Sequence, residues 1–203
     1  MPFVQNMDCR ALWHSRPMAQ KAMICKAELQ IADIDRSLYA DHLLTLARHP
    51  SETDERMMIR LLAFALNVPA DDRGGALEFA KGMWEPEEPE LWQKDLTGRL
   101  LHWIEVGQPE ERRLVKASGR ADKVSVYAFS HGAPAWWASL TSRVGRGGNV
   151  EAWLIPFEHS RALATLAQRS MRLQVNRQDG VVFVADSERS IEIVPTRLSA
   201  PPR

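Results

Sequence analysis

Residues 85 to 130, EPEEPELWQKDLTGRLLHWIEVGQPEERRLVKASGRADKVSVYAFS, constrain the fold of this chain more tightly than any other stretch. Strand-length apolar runs lie on either side of Thr97-Gly98, and a charged, helix-favouring segment from Pro109 to Ala121 separates the second run from a third, Val124 to Phe129. Antiparallel neighbours need only a tight turn between them, whereas a longer crossover through a helix suits a further strand of the same sheet. The pattern therefore predicts a hairpin, a central strand Leu100 to Val106, a helix and a third strand, that is, a mixed α/β sheet.

Glu105 stands out in the central strand. Its neighbours are Leu100, Leu101, Trp103, Ile104 and Val106, and burying a carboxylate among them costs several kcal/mol unless a cation or donors meet it. The residue either faces water at the sheet rim or belongs to a site. Strand ends leading into a helix are where ligand crevices form, and Gly107-Gln108-Pro109 is such a loop. With Thr97-Gly98 as a two-residue turn, Leu96 faces Arg99 and Glu105 pairs with Glu90. Asp95 then lies about 16 Å from Glu105 at roughly 3.3 Å per residue, so Glu88 or Glu90 is the better partner on this count, unless a bulge brings Asp95 closer.

The remaining chain supplies layers for this sheet. Met1 to Pro17 shows no periodicity and reads as a disordered or loosely attached extension, with one domain over residues 18 to 198 and a frayed tail at 199 to 203. Apolar and polar residues alternate through Ile24, Ala27, Leu29 and Ile31, and Tyr39 to Ala47 returns antiparallel. Ser51 reads as the cap of a helix whose stripe runs through Met58, Leu61, Leu62 and Ala65, with Glu52 and Glu55 complementing its amide dipole. Ala76 to Gly82 reads as a short strand, Glu85 to Glu90 as a surface loop, Ala133 to Ser142 as a helix, and Arg143 to Gly148 as a basic loop. Val150 to Ile155 is a strand and Phe157 to Gln168 a helix. Met171 to Asn176, Val181 to Ala185 and Ile191 to Val194 form an antiparallel meander. Ser130-His131 lacks the GxSxG elbow of a serine hydrolase.

The 26 basic and 26 acidic residues cancel, which argues against coating nucleic acid through bulk charge and leaves only a local groove. Cys9 and Cys25 have no metal-ligand spacing and suggest a reducing compartment. No apolar run reaches the ~20 residues of a membrane helix, so the expectation is a cytoplasmic protein with no membrane partner.

The blocks LTLARHPSETDERMMIRLLA and LHWIEVGQPEERRLVKASGRADKVSVYAFS, with KAELQIADIDR near the start, resemble the YaeQ family of bacterial proteins from Met18 to about Leu198. The resemblance implies an α/β (α+β) fold: a mixed β-sheet flanked by helices, a restriction-endonuclease-like variant of the PD-(D/E)XK nuclease core, with the antiparallel C-terminal meander added. Nucleases of that kind hold Mg2+ with an acid on each strand of the central hairpin, assisted by a helix glutamate, and use a lysine two residues after the second acid. Carried onto this chain, the metal set is Glu105 on the second strand, Glu55 or less favourably Glu52 on the helix, and Glu88, Glu90 or Asp95 on the first strand. Likeness to the nuclease pattern favours Asp95, whereas the family keeps the acid at Glu88 more regularly. The lysine place is Gly107, and Arg113 or Lys116 on the following helix would have to replace it as the catalytic cation. The resemblance thus implies a Mg2+-dependent phosphodiesterase acting on nucleic acid, or a nuclease-like module that has lost catalysis and binds RNA or the transcription machinery.

Overall fold

In a computed structural model describing residues 22–144 and 148–198, the chain builds two sheets rather than one. The first opens with β1 (Met23–Asp33) and β2 (Leu38–Arg48), antiparallel along their full length. Strict alternation sends Cys25, Ala27, Leu29 and Ile31 inward. Ile24, expected to point inward, is out of phase with them and faces solvent. Cys9 and the expected N-terminal extension lie outside the described residues.

Helix α1 (Asp54–Asn67) follows. Its cap is Thr53, not Ser51: the Thr53 side chain accepts from the Arg56 N–H at 3.1 Å, while Ser51 lies in the preceding turn. Thr53→Ala is expected to cost about 1 kcal/mol in urea unfolding, with Ser51→Ala near neutral. The apolar stripe underestimates how deeply α1 is buried. Met57, Ile59, Ala63 and Phe64 are as enclosed as Met58, Leu61, Leu62 and Ala65.

The second sheet has the order β11-β7-β6-β5-β4-β3. Its hairpin joins β4 (Leu91–Lys94) to β5 (Leu100–Val106), with β3 (Leu77–Phe79) outside β4. Helix α2 (Glu111–Ser118), shorter than the sequence suggested, leads to β6 (Ala121–Ala128), and α3 (Ala133–Val144) leads to β7 (Val150–Leu154). β5, β6 and β7 are mutually parallel. Trp103, Val124, Val126 and Ala152 share a core with α2 and α3 on one face, while Ile104, Val106 and Tyr127 join the core around α1 on the other.

Helix α4 (Phe157–Ala164) precedes the meander β8 (Ser170–Gln178), β9 (Val181–Ala185) and β10 (Ser190–Ile193), and β11 (Thr196–Leu198) returns to β7. The meander is not a separate appendage: β8 pairs in parallel with β1, giving the first sheet the order β10-β9-β8-β1-β2. Buried residues of β1, β8 and β9 and of the second sheet's hairpin all meet the α1 side chains in one core, so α1 is enclosed from both sides. No helix among the described residues is long and apolar enough to cross a membrane. Of the expected basic loop at 143–148, the first two positions belong to α3, which runs to Val144, and 145–147 lie outside the described residues.

Candidate functional site

The hairpin turn fixes which acid meets Glu105. Asp95 N–H donates to the Arg99 carbonyl and Gly98 N–H to the Asp95 carbonyl, with Gly98 at φ +86°. The connection is therefore one residue longer than the expected two-residue turn, and a register shift between Gln93 and Lys94 absorbs the difference. Leu91 still pairs with Ile104. One step further along the same register, Glu90 comes opposite Glu105, as the residue count required. Both are buried, at 2% and 3% exposure. The rim-exposed alternative for Glu105 is excluded.

Each acid is met by cations. Glu105 Oε1 accepts from Trp103 Nε1 at 2.7 Å and from Arg113 Nε at 2.6 Å. The other two nitrogens of the Arg113 guanidinium donate to the carbonyls of Pro86 and Glu88, so a single side chain ties α2 to the loop before β4. Glu90 Oε1 accepts from Arg56 Nη2, and Arg56 Nη1 donates to the Val106 carbonyl. Arg60 Nε lies 3.0 Å from Glu90 Oε2, close enough for ion pairing although not aligned for a hydrogen bond. Arg60 Nη1 also donates to both oxygens of the buried Glu52 at 3.0 Å. Three acids and three arginines thus interlock around the first turns of α1 and the ends of β4 and β5, beside a cleft of about 370 Å³ lined by Arg56, Glu90, Glu105, Val106, Gln108 and Arg113. Burial pushes the Glu105 carboxyl above the usual range against the pull of Arg113 and Trp103, and the neighbouring Glu90 carboxylate adds to the rise.

The other residues proposed from the sequence lie elsewhere. Glu55 accepts from Ser160 Oγ and faces α4. Glu88 turns to the Lys81 N–H, 3.1 Å away, and its ammonium. Asp95 closes the hairpin by accepting from Thr97 Oγ1 and the Thr97 and Arg99 amides, which hold its carboxyl below the usual range. Lys116 is half exposed and pairs with Glu87. Of the candidates Glu55, Glu88, Asp95, Glu105, Arg113 and Lys116, only Glu105 and Arg113 come together. Among the described residues no three His, Cys, Asp or Glu side chains gather as a metal-holding group. Mg2+ needs several oxygen ligands at about 2.0–2.1 Å in near-octahedral geometry. The side chains as arranged do not fit that requirement, because both converging acids are already balanced by guanidinium groups.

Gly107 stands where the nuclease resemblance would call for a lysine. Its φ is +97°, and a Cβ there would stand 3.0 Å from Arg56 Nη1. The positive φ strains any L side chain at 107, and Arg56 Nη1 would have to give by a few tenths of an ångström to admit one. Arg56 and Arg60 were missed from the sequence because they sit in the stretch of α1 that reads as an ordinary amphipathic helix.

The YaeQ protein family model matches residues 18–195. Proteins of Escherichia coli strain K12 and Salmonella typhi, both described as uncharacterized protein YaeQ, are 40% identical over 185 residues, covering 91% of this chain and 99% of theirs. The crystal structure of a YaeQ protein from Xanthomonas axonopodis pv. citri superposes with a TM-score of 0.82 at 43% identity, covering 89% of this chain and all of that one. A YaeQ protein structure from Pseudomonas syringae gives 0.82 at 36% identity, covering 90% and 99%. Identity of this order over nearly the whole of each relative, on the same arrangement of two sheets and four helices, means that the chain belongs to the YaeQ family.

Proposed function

We propose that this chain is a binding module on a nuclease-like fold, in which the cleft beside Glu90 and Glu105 receives a strand of nucleic acid without hydrolysing it. The observation that carries this reading is the arginine neutralisation of both acids, with Gly107 supplying no cation and Arg56 Nη1 beside it. Arg56 and Arg113 remain about one-fifth and one-quarter exposed on the cleft. A phosphate entering there would share their guanidinium donors, a geometry that suits phosphate oxygens. The cleft also opens at the C-terminal end of β5, where strand-end sites collect.

The test uses fluorescence anisotropy with labelled single-stranded RNA and DNA at about 50 mM salt, with Mg2+, Mn2+ or EDTA present, and the same mixtures run on a denaturing gel. Binding is expected to be insensitive to EDTA, to weaken as salt rises, and to fall about tenfold in Arg113→Ala, with the oligonucleotides intact. No binding at low salt overturns the reading. Metal-dependent cleavage abolished by Glu105→Gln overturns it in favour of the hydrolase. The juxtaposition of Glu90 with Glu105 is the one observation favouring that second reading, since paired carboxylates are what a divalent ion recruits.

A further inference from the structure

The cleft just described adjoins the first turn of α1. A second cavity, of about 490 Å³, lies at its last turn, between the two sheets. His102, Tyr127, Glu151 and Trp153 come to it from β5, β6 and β7, Leu66 and Asn67 from the end of α1, and Arg36 and Arg177 from the first sheet. That volume falls in the range of small-molecule sites, which join an apolar wall to a few fixed polar groups.

The polar groups here are fixed in a definite proton pattern. Burial works against ionisation of Glu151, but Lys123, then Ser125 and Trp153, outweigh it and hold the carboxyl below its usual range. Lys123 Nζ is 2.7 Å from Glu151 Oε1. A carboxylate only accepts, so Ser125 Oγ, 2.9 Å away, donates to it. The Ser125 oxygen must then accept from His102 Nε2 at 2.8 Å. Burial, with Lys123 acting in the same direction, pushes the imidazole down to about 4. The ring is thus neutral near pH 7, protonated on Nε2, which leaves Nδ1 as its acceptor. Tyr127 accepts from Asn67 Nδ2 at 2.7 Å and keeps its own proton to donate, since burial pushes the phenol up to about 12.

Charge selects the sign of the ligand. Arg36 pairs with Asp33, and Arg177 with Asp33 and Asp35, while Lys123 and Arg197 share Glu151. Four cations against three acids leave one positive charge over, and half-exposed Lys123 is the most exposed of the three cations that line the cavity, Arg36, Lys123 and Arg177. Trp153, Leu66 and Pro195 supply the apolar lining.

We propose that this cavity binds a small organic monoanion with a flat apolar body, its carboxylate at Lys123, its body against Trp153 and Leu66, and a hydroxyl or N–H group donating to His102. The site shares no lining residue with the carboxylate cleft and does not depend on what that cleft binds.

Benzoate, 4-hydroxybenzoate and, as a cationic control, benzylamine are titrated into the full chain. Binding is followed through the Trp153 indole N–H resonance, assigned with Trp153→Phe, and by calorimetry. Both carboxylates are expected to give saturable shifts, 4-hydroxybenzoate binding more tightly because its hydroxyl has an acceptor to reach. Lys123→Met should weaken binding about tenfold or more, and Lys123→Arg should restore most of it. Thermal midpoints of the two variants establish that each is folded. The proposal is overturned if neither carboxylate saturates a shift by about 10 mM, if folded Lys123→Met binds like the parent, or if benzylamine binds as well as benzoate.

Discussion

Arg60→Met is expected to destabilise the chain by about 3–5 kcal/mol, the largest loss from any single substitution around the cleft. The arginine is 4% exposed in the enclosed face of α1 and is shared by two acids that are themselves buried, Glu52 and Glu90. Methionine replaces the stem volume but removes the guanidinium that lies over the Phe79 ring, so the loss measures the charged head, in its ion pairs and over the ring, rather than stem packing. Glu90 keeps Arg56. Among the described residues Glu52 then keeps only the His49 amide at 3.3 Å, a poor return for a carboxylate inside a protein. Urea unfolding supplies the number, with a drop in thermal midpoint on the order of 10 °C. The cause is checked by adding Glu52→Gln to Arg60→Met, which removes the stranded charge and should recover part of the loss. A single-variant effect under about 1 kcal/mol would mean that water reaches the lattice and that its charges are screened.

The same lattice marks where the sequence stopped being informative. Glu105 was legible because an acid in a short apolar strand breaks the pattern, and its pairing with Glu90 followed from counting back across the turn. That count was right for a partly wrong reason, since an extra loop residue and a bulge cancelled. Likeness to a nuclease pattern favours Asp95, and the count along the strand and the resemblance to the family favour Glu88; neither side chain turns to Glu105, Asp95 closing the hairpin turn and Glu88 turning to Lys81. Arg56 and Arg60 carry no comparable mark. A basic residue on an amphipathic helix normally faces water, and only enclosure of α1 from both sides turns these two inward. That enclosure rests on β1 pairing with β8, strands separated by most of the chain, through hydrogen bonds that no local periodicity encodes. His102 repeats the case: it alternates with Glu105 in one strand, yet its Ser125 and Glu151 partners appear only once β5, β6 and β7 lie side by side.

His102 also sets how the fold responds to acid. Its imidazole stays neutral in the folded chain down to about pH 4, whereas in the unfolded chain it takes up a proton near its ordinary 6.5. Above pH 6.5 both states are neutral, and the histidine contributes no slope. Below it the unfolded state binds the extra proton, so stability falls with pH and goes on falling until the folded imidazole titrates. The loss accumulates to about 3 kcal/mol between pH 6.5 and 4, at roughly 1.4 kcal/mol per pH unit in mid-window. His102→Gln keeps a donor for Ser125 and cannot titrate, so its urea-derived stability should be flatter than the parent's from pH 6.5 down to 5. The difference between the two curves isolates this histidine from the others and from carboxylates that protonate at lower pH. Parallel curves over that interval would mean that the imidazole accepts its proton in the folded chain as readily as in the unfolded one. The His102 to Ser125 to Glu151 chain would then run with a charged ring at one end, and the acceptor that the second cavity offers at Nδ1 would be lost near pH 6.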